Sequence, residues 1–186
     1  MEALAKIAAQ HEGDPWFRVA ILSSVHDSAG QFYQLLLARK GSLDNVDFLS
    51  QLASLIGGKH NPGEIGRFLN SLLSLKQPEA GLSGLAKGLK LAGVKSLRVP
   101  GAEAVLRKFL NSTSEPIQRA AWETARYLEL RALVQQAAAD ALLPGLNLNK
   151  RANAIGLLRS RHNRPVCVLR HNCQEWWRRS TQRAWG

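Results

Sequence analysis

The feature that most constrains the fold is a regular series of helix starts along the chain. These starts fall near Pro15, Asp44, Pro78, Pro116 and Leu148, at separations of 29, 34, 38 and 32 residues. After each start, apolar residues follow at helical spacing, and a Gly or Pro-Gly break precedes the next start. Helical hairpins repeated at this interval are typical of an α-solenoid, in which each hairpin packs mainly on its neighbours.

Composition supports an all-α fold. The chain holds 30 Leu and 24 Ala among 186 residues, with only 6% aromatics, and no long stretch alternates with period two. We predict a right-handed α-α superhelix of about five helical hairpins, with Gly30 and Gly57-Gly58 ending helices. No window approaches 18 uncharged apolar residues, so no transmembrane helix is predicted. Two cysteines are too few for a disulfide scaffold.

A short pattern recurs at the helix starts. Pro15-x-x-Arg18-x-Ala20 matches Pro116-x-x-Arg119-x-Ala121, and a third copy keeps Arg151 but has Leu148 and Asn153 in place of Pro and Ala. Residues 15–128 resemble HEAT repeats, whose second helix commonly opens with such a Pro–Arg–Ala pattern. The resemblance implies that these residues are structural, with the arginines ordering neighbouring loops. Trp16 and Trp122 are expected to pack between helices.

Two longer strings extend the resemblance. Asp14-Pro-Trp-Phe-Arg-Val-Ala-Ile-Leu-Ser-Ser24 and Ser114-Glu-Pro-Ile-Gln-Arg-Ala-Ala-Trp122 look like the HEAT segment of large secreted bacterial oxidoreductases. Those proteins join a dehydrogenase-like β-propeller, a HEAT array and a C-terminal c-type haem domain. Haem attachment requires Cys-x-x-Cys-His, which Cys167 and Cys173 do not form. The resemblance therefore implies a detached spacer module without cofactor or redox chemistry.

The compartment depends on that resemblance. The first residues, Met1 to Lys6, lack the basic and apolar regions of a signal peptide, so the chain as it stands is expected to be cytoplasmic. A fragment of the secreted oxidoreductase family would instead be periplasmic or secreted. Oligomeric state stays open, because an uncapped solenoid end exposes apolar surface that could pair.

Positive charge is concentrated at the C-terminal end. Net charge is +11, and residues 151–186 hold eight Arg, no Lys and one acid, Glu175, which leaves +4 for residues 1–150. Residues 159–186 also lack helical periodicity. We therefore predict a HEAT-like domain at 1–158 and a basic Arg/Trp-rich tail at 159–186. That tail is expected to be disordered or poorly packed, or to be translated out of frame.

The tail contains residue types that bind metals and nucleic acids. Two His and two Cys could bind zinc, namely His162, Cys167, His171 and Cys173, but their interleaved Cys-x5-Cys and His-x8-His spacings fit no finger or ribbon pattern. We expect no metal site there. A second group could stack on bases and neutralise phosphates, or bind an anionic membrane surface: Trp176, Trp177, Arg178, Arg179 and Arg183.

An enzymatic alternative comes from a different class. HEAT-like DNA glycosylases bind damaged duplex on a concave basic face with Trp, Asp and Arg. The corresponding residue types here are Trp16, Arg18, Arg119, Trp122 and Arg126, near the acids Asp14, Glu115 and Glu123. Asp14 and Glu115 lie at helix starts, where they favour the helix dipole. Clustering of Arg18, Arg67, Arg119 and Arg126 on one surface would favour this nucleic-acid interpretation; scatter would weaken it.

No common catalytic motif is present. The chain lacks Gly-x-Ser-x-Gly, Walker A, His-Glu-x-x-His and Gly-x-Gly-x-x-Gly sequences. We therefore predict a non-enzymatic scaffold or spacer that contacts a protein partner, with polar residues on the second helix of each hairpin making the contacts. Nucleic-acid binding through the basic tail is the alternative.

Overall fold

The computed structural model describes residues 1–11, 14–39 and 43–142, and the single residues 151, 154, 155 and 158. This part of the chain is helical and has no named strand, which confirms the all-α prediction. Its helices are α1 Glu2–Gln10, α2 Pro15–Ser24, α3 Ala29–Leu37, α4 Val46–Gly58, α5 Pro62–Leu72, α6 Pro78–Leu91, α7 Ala102–Leu110, α8 Glu115–Ala125 and α9 Arg131–Leu142. A short 3-10 helix, His26–Ser28, precedes α3.

The chain forms two compact units, Met1–Gln135 and Gln136–Gly186. All of α1 to α8 lies in the first unit. In the second unit, the structure describes the end of α9 and the four single residues. The predicted boundary between residues 158 and 159, and the predicted tail beyond it, lie outside the described residues.

Several helices begin where the sequence predicts, because a polar side chain caps the first turn. The Asp14 carboxylate accepts hydrogen bonds from the backbone N–H groups of Trp16 and Phe17, at 2.8 and 3.4 Å. Asn61 does the same for α5, accepting from the N–H groups of Gly63 and Glu64. Proline at the first helical position follows both caps, where its missing N–H removes no helical bond.

The helices of the first unit contact one another in an alternating pattern. Among the even-numbered helices, α2 packs on α4, α4 on α6 and α6 on α8. Among the odd-numbered helices, α1 packs on α3 and α5 on α7. Tyr33 links α3 to α5, since its hydroxyl lies 2.7 Å from the Ser71 hydroxyl and its ring lies edge-on to Phe68 at 4.8 Å. Each of these contacts joins a helix to the second helix after it in the chain.

The closest of these contacts is between α4 and α6, whose backbones meet directly. A Cβ atom added to Gly84 would lie 2.1 Å from the carbonyl oxygen of Ser50, and one added to Gly88 would lie 2.1 Å from that of Ser54. Both distances are far inside van der Waals contact. Only glycine at these two positions of α6 allows the observed approach.

The core of the first unit is apolar and includes a fully buried tyrosine. Its largest side chains are those of Phe32, Tyr33, Phe48 and Phe68. Burial raises the pKa of the Tyr33 hydroxyl above its ordinary value of 10.0, and the hydrogen bond with Ser71 partly offsets this effect.

The two predicted glycine breaks differ in outcome: α4 ends at Gly57-Gly58 as predicted, but Gly30 does not end a helix. Gly30 lies in the first turn of α3, and Gly57 and Gly58 are the last two residues of α4. A Cβ atom on Gly30 would lie 2.6 Å from Oε2 of Glu64, and one on Gly57 would lie 2.6 Å from the carbonyl oxygen of Leu85. Gly30 and Gly57 therefore serve close packing between helices. The Glu64 Oε2 atom beside Gly30 is buried and has no hydrogen-bond partner within the described part of the chain.

Candidate functional site

The two clean copies of the repeat pattern occupy different surroundings. Arg18 on α2 is largely buried and contacts Asp47 of α4 at 3.5 Å, so it links two successive even-numbered helices. Arg119 on α8 is exposed and pairs with Glu115 of its own helix at 3.1 Å. Ala20 is exposed, whereas Ala121 is fully buried. Pro15 and Pro116 both lie in the first turn of their helices.

The other sequence-predicted site residues are placed as follows. Arg151, from the third copy, is half-buried, and its Nε atom has no hydrogen-bond partner among the described residues. The zinc candidates His162, Cys167, His171 and Cys173 lie outside the described residues. So do the tail residues Trp176, Trp177, Arg178, Arg179 and Arg183. In the described ranges, no group of three or more His, Cys, Asp or Glu side chains is arranged to hold a metal ion.

The four arginines named for nucleic-acid binding are spread over three helices. Arg18 is on α2, Arg67 on α5, Arg119 on α8, and Arg126 caps the C-terminal end of α8. Arg18 and Arg119 are both engaged by carboxylates. Trp122 is half-buried. Trp16 was expected between helices, but its side chain is 83% exposed, so that prediction is wrong.

A groove of about 410 Å³ runs across the exposed sides of α2, α4 and α6. It is lined by Val19, Leu22, Ser23, His26, Ser50, Gln51, Ser54, Leu55, Lys87 and Leu91, and we call it the apolar groove. Val19 is 59% exposed and Leu91 is 74% exposed, so both contribute apolar surface to the groove. Trp16 precedes Val19 by one turn on the same stripe of α2.

Small side chains on α4 help to form the apolar groove. Ser50 and Ser54 lie one turn apart on the middle helix of the three and are half-buried. Their carbonyl groups face Gly84 and Gly88, which lets α6 approach α4 closely. The small side chains of Ser50 and Ser54 leave space above α4, and this space forms the floor of the groove. The Ser23 hydroxyl at the α2 wall donates to backbone carbonyl oxygens of its own helix. That wall therefore presents mainly aliphatic surface.

The described ionisable residues that line the apolar groove are basic ones, Lys87 and His26. Lys87 is exposed on its wall, and His26 lies at the opposite side, on the 3-10 helix. No Asp or Glu is among the described residues that line it. The acid next to His26 in sequence, Asp27, pairs with Lys59 at 3.6 Å. Within the described ranges, Lys87 forms no ion pair.

A second groove, of about 310 Å³, lies between α6 and α8. Its lining residues are Glu79, Ser83, Glu115, Pro116, Arg119, Ala120 and Glu123. Three carboxylates face one guanidinium there, and Arg119 is already paired with Glu115. The two grooves thus differ in charge, although both open along the even-numbered helices.

Sequence reasoning did not find the apolar groove. Val19 and Leu91 each continue an apolar pattern along their helices, so periodicity alone does not show that they are exposed. The signal that could have found it is a pair of small-residue spacings, Ser50-x-x-x-Ser54 on α4 and Gly84-x-x-x-Gly88 on α6. Such spacings indicate close helix contact and a shallow surface between the flanking helices.

Comparison with known proteins adds no assignment. No family model, no curated protein and no solved structure matches the chain. Among the described helices, none combines the length and the hydropathy that crossing a bilayer requires.

Proposed function

We propose that this protein is a non-enzymatic scaffold or spacer, built as a HEAT-like α-solenoid, that binds a protein partner on its even-numbered helices. Helix contacts that skip one helix along the chain support the solenoid, because stacked hairpins produce two parallel rows of helices. Binding would consist of distributed contacts and involve no catalytic step. As a spacer, the chain would serve the role of the HEAT segment in the oxidoreductases that it resembles.

The proposal is supported above all by the apolar groove. Exposed aliphatic side chains scattered singly are ordinary, but Val19 and Leu91 flank one concavity that also contains Leu22 and Leu55. Grouped apolar residues rimmed by polar ones mark interaction surfaces in many soluble proteins. Trp16 has the most exposed large apolar side chain among the described residues, and it lies on the same stripe of α2 as Val19. Exposed tryptophans are frequent anchors of protein interfaces.

The nucleic-acid alternative has less support. Clustered arginines on one surface would favour it, but Arg67 lies on an odd-numbered helix while Arg18 and Arg119 lie on even-numbered ones. Both of the latter are paired with acids, which reduces the charge that they offer to phosphates. The groove between α6 and α8 has three glutamates and one arginine among its lining residues, and this excess of negative charge repels a phosphate backbone.

A displayed library of random 16-residue peptides tests the proposed function without assuming a partner. The full chain is the bait, and Leu91→Asp disrupts the apolar groove. Leu142→Asp on α9 is the matched control, because Leu142 is 80% exposed and the charge change is the same. We expect enriched peptides to bind Leu91→Asp at least about tenfold more weakly than the wild type, and to bind Leu142→Asp normally.

Circular dichroism would first establish that both variants fold, as expected for changes at exposed positions. Peptides that bind the wild type and Leu91→Asp equally well would contradict the proposed function. So would a selection from which no peptide emerges.

A further inference from the structure

We propose that the apolar groove binds a short amphipathic α-helix of a partner protein, with Asp or Glu on the helix edge that faces Lys87. This inference rests on the proposed function and names the class of partner. It is carried by three properties of the groove: the kind of backbone that forms its walls, its span, and its charge.

The walls of the groove favour a helical occupant. They are helices, whose backbone groups are already hydrogen-bonded internally, so an extended peptide could not add as a strand. Polyproline segments use grooves lined by aromatic rings. No Trp, Tyr or Phe is among the described residues that line this groove. A helix satisfies its own backbone and needs only an apolar surface for its own apolar stripe, which Val19, Leu22, Leu55 and Leu91 supply.

The span of the groove sets the length of the bound helix. Packed helices lie about 8–10 Å apart, so the distance from α2 across α4 to α6 is roughly 16–20 Å. A helix advances about 5.4 Å per turn, so roughly three to four turns cover this distance. Apolar residues at positions i, i+4, i+7 and i+11 of such a segment span about 16.5 Å and would meet the four aliphatic residues of the groove.

Charge complementarity selects an acidic partner. Lys87 forms no ion pair within the described ranges, and no described acid lines the groove. A second copy of this chain is a poor occupant, because a two-fold contact at this face would bring two Lys87 side chains together. The whole chain also carries +11. A helix with carboxylates along one edge would instead pair with Lys87 and gain association rate from the basic chain.

Three synthetic peptides of 14 residues test this inference by fluorescence anisotropy with the full chain. The first has a helical apolar stripe with Glu at the edge positions. The second has Lys at those positions, and the third contains the residues of the first in an order without helical periodicity. We expect the first peptide to bind at least about tenfold more tightly than either of the others.

Lys87→Glu and Lys108→Glu separate local from overall charge. Both replace one positive charge by a negative one, and Lys108 is exposed on α7, away from the groove lining. We expect Lys87→Glu to weaken binding of the Glu peptide about three- to tenfold and Lys108→Glu to change it less than about twofold.

Each other result overturns the inference. Equal binding of the scrambled peptide, or equal losses in both variants, would mean that the basic chain merely attracts acidic peptides. A preference for the Lys peptide would exclude an acidic partner. If none of the three peptides binds while library peptides still depend on Leu91, the helical partner is wrong and the proposed function stands. Failure of the library test itself removes the proposed function and this inference together.

Discussion

At the scale of single residues, the absence of a side chain matters in two different ways. Gly101 precedes α7 with φ of +76°, a left-handed conformation that residues with a Cβ rarely adopt. Gly84 and Gly88 have helical backbones, and their importance comes from the carbonyl groups of α4 that lie against them. A sequence shows both kinds as helix-weakening glycines. Only the packing distinguishes the glycine that bends the chain from the glycine that admits a neighbour.

Gly84→Ala is expected to destabilise the protein by about 3 kcal/mol, because the new Cβ would meet the Ser50 backbone and force α4 and α6 apart. Gly58→Ala is the matched control, since a Cβ at this last residue of α4 would meet no atom within 4 Å. Removing backbone freedom from the unfolded chain should make Gly58→Ala more stable by about 0.5 kcal/mol. Urea unfolding measures both; equal effects would contradict the packing role.

The N-terminal caps give a second residue-scale prediction. Asp14→Ala removes the acceptor of two backbone N–H groups at the start of α2 and should cost about 1 kcal/mol. Ser114 occupies the corresponding position of α8, but its side chain forms no capping bond. Ser114→Ala should therefore change the free energy of unfolding by less than about 0.5 kcal/mol. Thermal or urea unfolding of the two variants tests the difference; a larger loss in Ser114→Ala would refute it.

Local signals were predictable from the sequence because they act over a few residues. Asp14-Pro15, Asn61-Pro62 and Pro100-Gly101 are sequence signals for a helix start or a break, and helices begin at or directly after all three. Gly30 was predicted to break a helix, but it packs against the side chain of Glu64. Glu64 is distant in sequence, so the local pattern could not show this packing role. Trp16 was expected to pack between helices, and its 83% exposure could not be inferred from the local pattern of α2.

At the scale of elements, α2 explains why the candidate site was missed. Apolar residues occur on most sides of this helix, so its sequence does not define one buried stripe. The residues buried at its C-terminal end are Ile21, Leu22 and Val25, while Val19 and Ala20 face outwards. The direction of the buried face is set by α1, α4 and the 3-10 helix, which pack on α2. Periodicity therefore predicted that α2 exists but not which side is buried.

The contact between α3 and α5 gives a prediction about pH. The buried Tyr33 hydroxyl meets Ser71, whose own hydroxyl also donates to the Phe68 carbonyl at 2.7 Å. In Tyr33→Phe, Ser71 keeps that second bond, so the expected cost near neutral pH is about 1 kcal/mol.

The pKa of Tyr33 is raised above 10.0 in the folded protein by burial. Below that pH both states hold the proton, so the tyrosine adds no pH dependence. Above it the unfolded state loses its proton first, and the stability of the wild type falls as pH rises. Tyr33→Phe lacks this loss, so the stability gap between the two proteins should shrink between about pH 8 and about pH 11 in urea unfolding. A gap that stays constant would contradict the buried, proton-retaining hydroxyl.

At the scale of the whole molecule, the spacing of helix starts was the most informative property of the sequence. The even-numbered helices α2, α4, α6 and α8 begin within two residues of the predicted starts, and these helices contact one another in series. The grooves could not be predicted in the same way. They depend on how closely particular helices approach, which in turn depends on Gly84 and Gly88 meeting Ser50 and Ser54.

Stacked hairpins make a prediction about where the protein opens first. In the proposed solenoid, α4 and α6 have even-numbered neighbours on both sides, whereas α1 lies at the end of its row. Hydrogen exchange by mass spectrometry should therefore find the amides of α4 and α6 exchanging at least about tenfold more slowly than those of α1. Gly84→Ala should accelerate exchange in α4 and α6 more than in α1, because it weakens the contact between them. Equal protection of α1 and α6 in the wild type would instead indicate one all-or-none unit and argue against a stack of hairpins coupled mainly to their neighbours.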